Sequence, residues 1–289
     1  MMKKILLLSH IKIQNANALS SPFTIGFPAL SAWLGATHAL QRKLNEDGFS
    51  DFKVLATGIV SHKADLRTYK GRGDYVHSII ATANPLAKDG KRSAFIEEAR
   101  INLEVSLVLE YDGVKKDKED ELLKRVSHHL HFMRMAGGDI LDYKKPALYR
   151  VSEKEDLQYL RKKLMPGFAL IERKKLMKEA MNEGKDAIDA MLHFFGIHNS
   201  CEEEGAKVKW IQKRATSGWI VPIAVGFQGI SPLGYAKNQR DDTTPHRFAE
   251  SVVTLGEFKM PYKIESLDEI LWIYRFDEEK NLYLCEQKK

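Results

Sequence analysis

Residues 5–8, Ile-Leu-Leu-Leu, run without interruption between Lys4 and Ser9, the pattern of a strand buried on both faces. Polar residues follow as far as Phe27, and Pro28 then takes a first helical position, where its missing N–H costs nothing. Leu30, Trp33, Leu34, Thr37, Leu40 and Leu44 recur on one face at helical spacing, and residues 45–48 close this helix. Residues 52–61 predict a second strand, relieved at Gly58. Residues 63–92 are irregular and basic, with turn chemistry in Lys70-Gly71-Arg72-Gly73-Asp74 and Lys88-Asp89-Gly90-Lys91-Arg92. They predict one or two protruding hairpins. Leu103, Val105, Leu107 and Leu109 alternate with Asn102, Glu104 and Ser106 in a half-buried strand. Residues 117–135 predict a second helix striped by Leu122, Val126, Leu130 and Met133 and stopped by Gly137-Gly138. Ile140 and Leu141 open another strand.

Strand, helix, strand, irregular segment, strand, helix, strand is the ferredoxin-like βαββαβ order, a scaffold of RNA-recognition modules. The expected fold is therefore α/β (α+β), with this core in residues 1–150. The pattern then changes. Ser152 with Glu155 reads as a capping box, opening a helix through Leu157, Leu160 and Leu164 that Pro166-Gly167 breaks. Phe168 begins a short strand. Residues 174–195 are helical with an interruption near Gly184, and the charged stretch 202–209 reads as an exposed loop. These features define a helical insertion over residues 151–215. Residues 216–289 read as a mixed region packing on the core. It has a strand at Trp219-Ile220-Val221-Pro222-Ile223, a helix from Thr244-Pro245 to Leu255, and a helix capped by Ser266 and Glu269 around Leu271 and Trp272. Trp33, Trp219 and Trp272 are candidates for core or interface, with core favoured.

Charge adds a direction to this outline. The 289 residues hold 45 Lys and Arg against 39 Asp and Glu. The excess is local: residues 1–100 carry 14 basic and 8 acidic side chains, and the remainder balances. A positive face of this kind suits a phosphate backbone. Cys201 and Cys285 lie far apart with no ligand spacing, so no zinc site or disulfide framework is expected, and a reducing cytoplasm fits. The apolar start is too short for a signal peptide, and no stretch is long enough to span a membrane.

Few residues suggest catalysis. No phosphate-cradling GxxxxGK[ST] occurs, and the acidic clusters at 117–121 and 202–204 fit a helix start and a solvated loop. His38 and the cluster His128, His129 and His131 are the available general acids or bases for metal-independent RNA cleavage, with surface and packing roles favoured. The polar segment Gln14-Asn15-Ala16-Asn17-Ala18-Leu19-Ser20-Ser21-Pro22 is different. Gln14, Asn15, Asn17, Ser20 and Ser21 both donate and accept hydrogen bonds, as reading of base edges and sugar hydroxyls requires. A helix N-terminus that favours phosphate lies close by. A turn that satisfies its own backbone explains the same composition equally well.

At these residues the chain resembles the family of second Csy proteins, the Cas-five-type subunits (RAMP superfamily) of type I-F CRISPR surveillance complexes. The resemblance runs from the polar segment through Gly26-Phe27-Pro28, Asn84-Pro85-Leu86, Met133-Arg134-Met135-Ala136-Gly137-Gly138 and Leu164-Met165-Pro166-Gly167-Phe168. It continues at Gly218-Trp219-Ile220-Val221-Pro222-Ile223 and Thr244-Pro245-His246-Arg247-Phe248. It implies a non-catalytic RAMP fold without metal or cofactor, pairing with the large Csy subunit. It further implies a grip on the 5′ handle of the CRISPR guide RNA and contact with the first backbone subunit, with target double-stranded DNA as a further candidate partner. Carried onto this chain, the polar segment would contact the handle, Arg134 with Gly137-Gly138 would approach RNA backbone, Arg92 would lie on the basic protrusion, and Arg247 is a further RNA contact. Asp139 after the glycine pair and the short segment 200–209 depart from the family pattern. A guide-processing ribonuclease built on the histidines is the enzymatic alternative, and a purely architectural subunit the third.

Overall fold

The computed structural model describes residues 2–80, 82–83, 86–91, 95–96, 98–204, 207–239 and 241–288. The strands of its main sheet are β1 (Lys3–Asn17), β2 (Lys53–Leu66), β3 (Arg100–Asp112), β4 (Arg134–Met135), β5 (Gly138–Asp142), β6 (Ala147–Val151), β7 (Phe168–Glu172), β8 (Ile220–Gly229), β9 (Ala249–Lys259), β10 (Leu271–Asp277) and β11 (Leu282–Gln287). The helices are α1 (Leu30–Glu46), α2 (Glu119–Leu130), α3 (Lys154–Lys163), α4 (Lys174–Asn182) and α5 (Ala187–Phe195). The result is a mixed α/β structure dominated by sheet.

Strand order in the main sheet is β4-β5-β1-β3-β2-β7-β9-β8-β11-β10, with β6 paired to the first half of β1. Neighbours in β5-β1-β3-β2 are all antiparallel. Alternation along β1 explains its apolar run. Leu6, Leu8, Ile11 and Ile13 join a core with α1 and α2, whereas Ile5 and Leu7 face Leu157 and Leu160 of α3 and Leu267. Both faces are covered, so almost no polar position interrupts the run. All six residues of the helical stripe in α1 are buried. Thr37 belongs among them because its hydroxyl donates to Leu34 O at 2.9 Å and meets Thr57 Oγ1 of β2 at 3.0 Å.

The second half of the sheet curls back. β7 pairs with β2 at Ser61 and Val60, and β10 pairs with β2 at Gly58 and Thr57. Both ends of the five-strand run β7-β9-β8-β11-β10 therefore sit on β2 and close a ring. Gly58 permits the closure: a side chain there would meet Ile270 O at 3.2 Å and Val108 Cβ at 3.3 Å. A third apolar cluster, from Met177 of α4 and Met191 of α5, covers Leu255 of β9.

Several expectations need correction. β1 does not end at Ser9 but continues through the polar segment to Asn17. Its pairing with β3 slips between Leu8 and Ile11 and again between Ile13 and Ala16, where His10 and Asn15 take positive φ. These bulges break the alternation that marks a strand without ending it. α2 stops at Leu130, so Met133 packs from outside the helix; the glycine pair belongs instead to the β4–β5 hairpin, where Ala136-Gly137 makes the turn and Gly138 begins β5. Pro28 precedes the α1 N-cap, Ala29. The α3 capping box uses Glu153 and Asp156, one residue on from the expected pair. Residues 202–204 and 207–209 are strand rather than loop: Ile197–Glu204 and Lys207–Arg214 pair antiparallel with Glu202 opposite Lys209. The helix expected from Thr244 is instead β9, because Val252, Val253 and Thr254 favour strand and Asp241 ties Thr243 and Thr244 into a turn. Ser266 and Glu269 do form a capping box, but on a single turn, Leu267–Glu269, before β10. In place of hairpins confined to residues 63–92, two short antiparallel pairings follow Leu66, Thr68–Tyr69 with Ser78–Ile79 and Thr82–Ala83 with Phe95–Ile96, the second reaching past the basic segment.

Candidate nucleic-acid interface

The end of β1 and the β4–β5 hairpin form one surface. Gln14 pairs with Asp139 across β1 and β5, and Arg134 pairs with Asp139 across β4 and β5. Asn17 N–H donates to Ala136 O at 2.8 Å. The Arg134 guanidinium donates to Asp139 Oδ1 at 2.8 Å, and both side chains are largely exposed. Gly138 lies directly on β1, where an added Cβ would stand 2.6 Å from Gln14 O and 2.7 Å from Ala16 N. The hairpin can approach this closely only with glycine at that position.

The polar side chains divide between internal and free roles. Asn15 accepts from Arg67 at 2.7 Å, and its backbone N–H donates to Asn102 Oδ1 at 3.1 Å. Asn17 caps its own turn, donating to Leu19 O and accepting from Leu19 N. Ser20 and Ser21 both bond Thr24, and Ser21 is buried. Self-satisfaction therefore accounts for Ser21 and most of Asn17, while Gln14 is exposed. Beyond Asn17 the surface opens into a groove of about 620 Å³ lined by Asn17, Ser20, Ser31, His38 and Arg42. The N-terminus of α1 has no side-chain cap and borders this groove. Backbone N–H groups of that turn, with exposed Arg42, give it an anion-binding character.

Arg247 is not brought to this surface by any described contact; it bonds Asn281 and packs over Gly229 at the far end of β8. Arg92 lies outside the described residues. Two residues that sequence reasoning missed, Arg67 and Asn102, organise the bulge at Asn15. Arg67 lies in a stretch read as irregular and basic, and Asn102 as the polar half of an alternation, so pattern singled out neither.

The sequence model described as CRISPR-associated protein (Cas_Csy2) matches residues 6–285. A curated relative, CRISPR-associated protein Csy2 of Pseudomonas aeruginosa (strain UCBPP-PA14), is 35% identical over 310 residues, covering 96% of this chain and 94% of its own. The chain belongs to the Csy2 family.

Of the four candidate histidines of this Csy2-family chain, three are engaged by neighbours, His128 through its ring contact with Phe132 at 5.2 Å. His129 Nε2 donates to Asp47 Oδ2 at 2.8 Å, joining α2 to the end of α1, and His131 Nε2 meets the Tyr143 hydroxyl at 2.9 Å. His38 is exposed at the groove. Among the described residues, no group of three or more His, Cys, Asp or Glu is placed to hold a metal ion. No helix among them is long and apolar enough to cross a membrane.

A cluster absent from the sequence reading lies under the first bulge of β1. His10 and His62 stack with ring centroids 4.1 Å apart. His62 Nδ1 donates to Pro166 O at 2.5 Å, and its Nε2 accepts from buried Ser106 Oγ at 2.7 Å. This arrangement uses the neutral ring. Burial, with His10 nearby, holds the His62 pKa below the ordinary imidazole range, and the hydrogen bond from His10 holds the Glu104 carboxyl below its own. Both shifts have one sign. The unfolded chain takes up protons first, so stability is full above about pH 6.5 and falls on acidification, first through His62 and then through Glu104. Thermal midpoints measured from pH 8 to pH 5 are expected to fall, and to fall less in His62→Asn. An identical slope in the variant would remove His62 from this account.

Proposed function

We propose that this chain is the non-catalytic, Cas-five-type subunit of a type I-F Csy complex in the cytoplasm and grips the 5′ handle of the guide RNA along the β1 end and the β4–β5 hairpin. The observation that carries this reading is the meeting of Gln14, Asn17 and Arg134 on one surface that opens into a groove with Arg42 and the uncapped α1 N-terminus. The β5-β1-β3-β2 order with α1 and α2 on one face supports a ferredoxin-like RAMP core in residues 1–150, extended by residues 151–215 and 216–289. The Arg134–Asp139 pair is exposed and worth little by itself, so a phosphate oxygen can replace Asp139 at small cost. Partners on this reading are the guide RNA, the large Csy subunit, the first backbone subunit and, in interference, target double-stranded DNA.

In the assembled complex, Arg134→Ala is expected to weaken handle binding roughly 10-fold and to lower the log–log salt slope by about 0.7. Gln14→Ala is expected to relax handle sequence preference with the salt slope unchanged. Filter binding of parent and variants over a salt series checks both, and unchanged affinity in both variants would sink the assignment. Precursor RNA incubated with this chain alone is expected to stay intact; cleavage lost in His38→Ala would favour the ribonuclease.

A further inference from the structure

A second cavity, of about 320 Å³, lies between the Ser20–Phe27 turn, the outer half of β2 and the start of β8. Its wall is aromatic. Trp219 meets Phe168 edge-on at 5.2 Å and Phe258 at 5.1 Å, and Phe27 meets Phe258 edge-on at 5.3 Å. Trp219 is 51% exposed although its backbone is tied to Phe258 by a 3.0 Å hydrogen bond. A half-exposed indole on backbone anchored just before β8 presents a large apolar surface in a set position. Polar groups edge the cavity: Ser61, whose hydroxyl has no partner among the described residues, and exposed Lys63, which makes no ion pair among them. Ser20 lines both this cavity and the groove that begins at Asn17.

We infer that this cavity takes a single unstacked nucleobase from the RNA strand that crosses the β1 end, an inference that rests on the RNA-binding reading above. Every base has a π face, and stacking on an aromatic side chain is the sequence-tolerant part of single-strand recognition. The unpaired Ser61 hydroxyl and the Lys63 ammonium supply a donor and a cation for the base edge and its phosphate. A buried apolar side chain from another protein would use neither. The shared Ser20 gives the path: backbone in the groove, one base turned through the Ser20–Thr24 turn into the aromatic cavity.

The test uses the assembled complex with guide RNAs carrying 2-aminopurine at each handle position in turn. One position is expected to be quenched. Trp219→Leu is expected to restore emission there, leave the other positions unchanged and weaken binding roughly 5- to 100-fold, while Trp219→Phe keeps most of the quenching. The inference is overturned if no position responds to Trp219→Leu while the RNA still crosslinks to residues 10–20, the result expected when a partner protein's side chain fills the cavity. Loss of those crosslinks from the parent complex would instead remove the RNA-binding reading, and this inference with it.

Discussion

Trp272→Ala is expected to destabilise the protein by about 3–5 kcal/mol, the largest loss for any single truncation in its core. Trp272 is fully buried at the seam where β7 and β10 share one edge of β2. Its indole N–H donates to Leu170 O of β7 at 3.0 Å, across that seam. Truncation therefore opens a cavity and strands a buried carbonyl at the point where the ring of strands closes. Trp272→Phe separates the two effects: packing largely survives and the orphan carbonyl remains, at a cost of about 1–3 kcal/mol. Trp33 provides the control. It is equally buried, but its Nε1 has no hydrogen-bond partner among the described residues, so Trp33→Phe removes an unsatisfied donor and is expected to cost less than Trp272→Phe. Urea denaturation followed by far-ultraviolet circular dichroism measures all three. A Trp272→Ala loss under 1 kcal/mol, or the reverse order of the phenylalanine variants, would contradict this view of the seam.

How much of this was legible in the sequence depends on which interaction decides each segment. The α1 stripe was legible because one face is core and one is solvent, and every residue read from spacing is buried. β9 and β10 were misread because their capping and turn signals are real but local. Asp241 and Ser266 do hold the backbone N–H groups of the residues that follow, and the β-branched and aromatic residues beyond them then pair into the sheet. The candidate interface was legible as composition but not as geometry. Gln14 to Ser21 stood out as polar, yet the positive φ at Asn15 and its bond to Arg67 depend on chain brought in from β2's far end. The aromatic cavity was not legible at all: Phe27, Phe168, Trp219 and Phe258 come from four separate segments, and Trp219, a candidate for core or interface with core favoured, is half exposed.

The glycine pair at the hairpin tests whether those residues serve the protein or its ligand. Gly138→Val is expected to cost about 3 kcal/mol and to reduce RNA retention in the assembled complex, whereas Gly137→Ala costs about 1 kcal/mol and leaves retention intact. The ranking is not what backbone angles suggest, since Gly137 alone of the two has positive φ. It follows from space. A Cβ on Gly137 meets nothing nearer than Asn17 Cβ at 3.9 Å, but one on Gly138 meets the backbone at Gln14 and Ala16, which has no flexible end to move aside. β5 must then separate from β1, carrying Asp139 away from Gln14 and loosening the surface that presents Arg134. Thermal unfolding of both variants, alongside recovery of guide RNA with the purified complex, distinguishes the roles. If Gly137→Ala loses RNA at unchanged stability while Gly138→Val keeps it, the pair is instead reserved for close approach of the RNA backbone, and the hairpin's fit on β1 is incidental to binding.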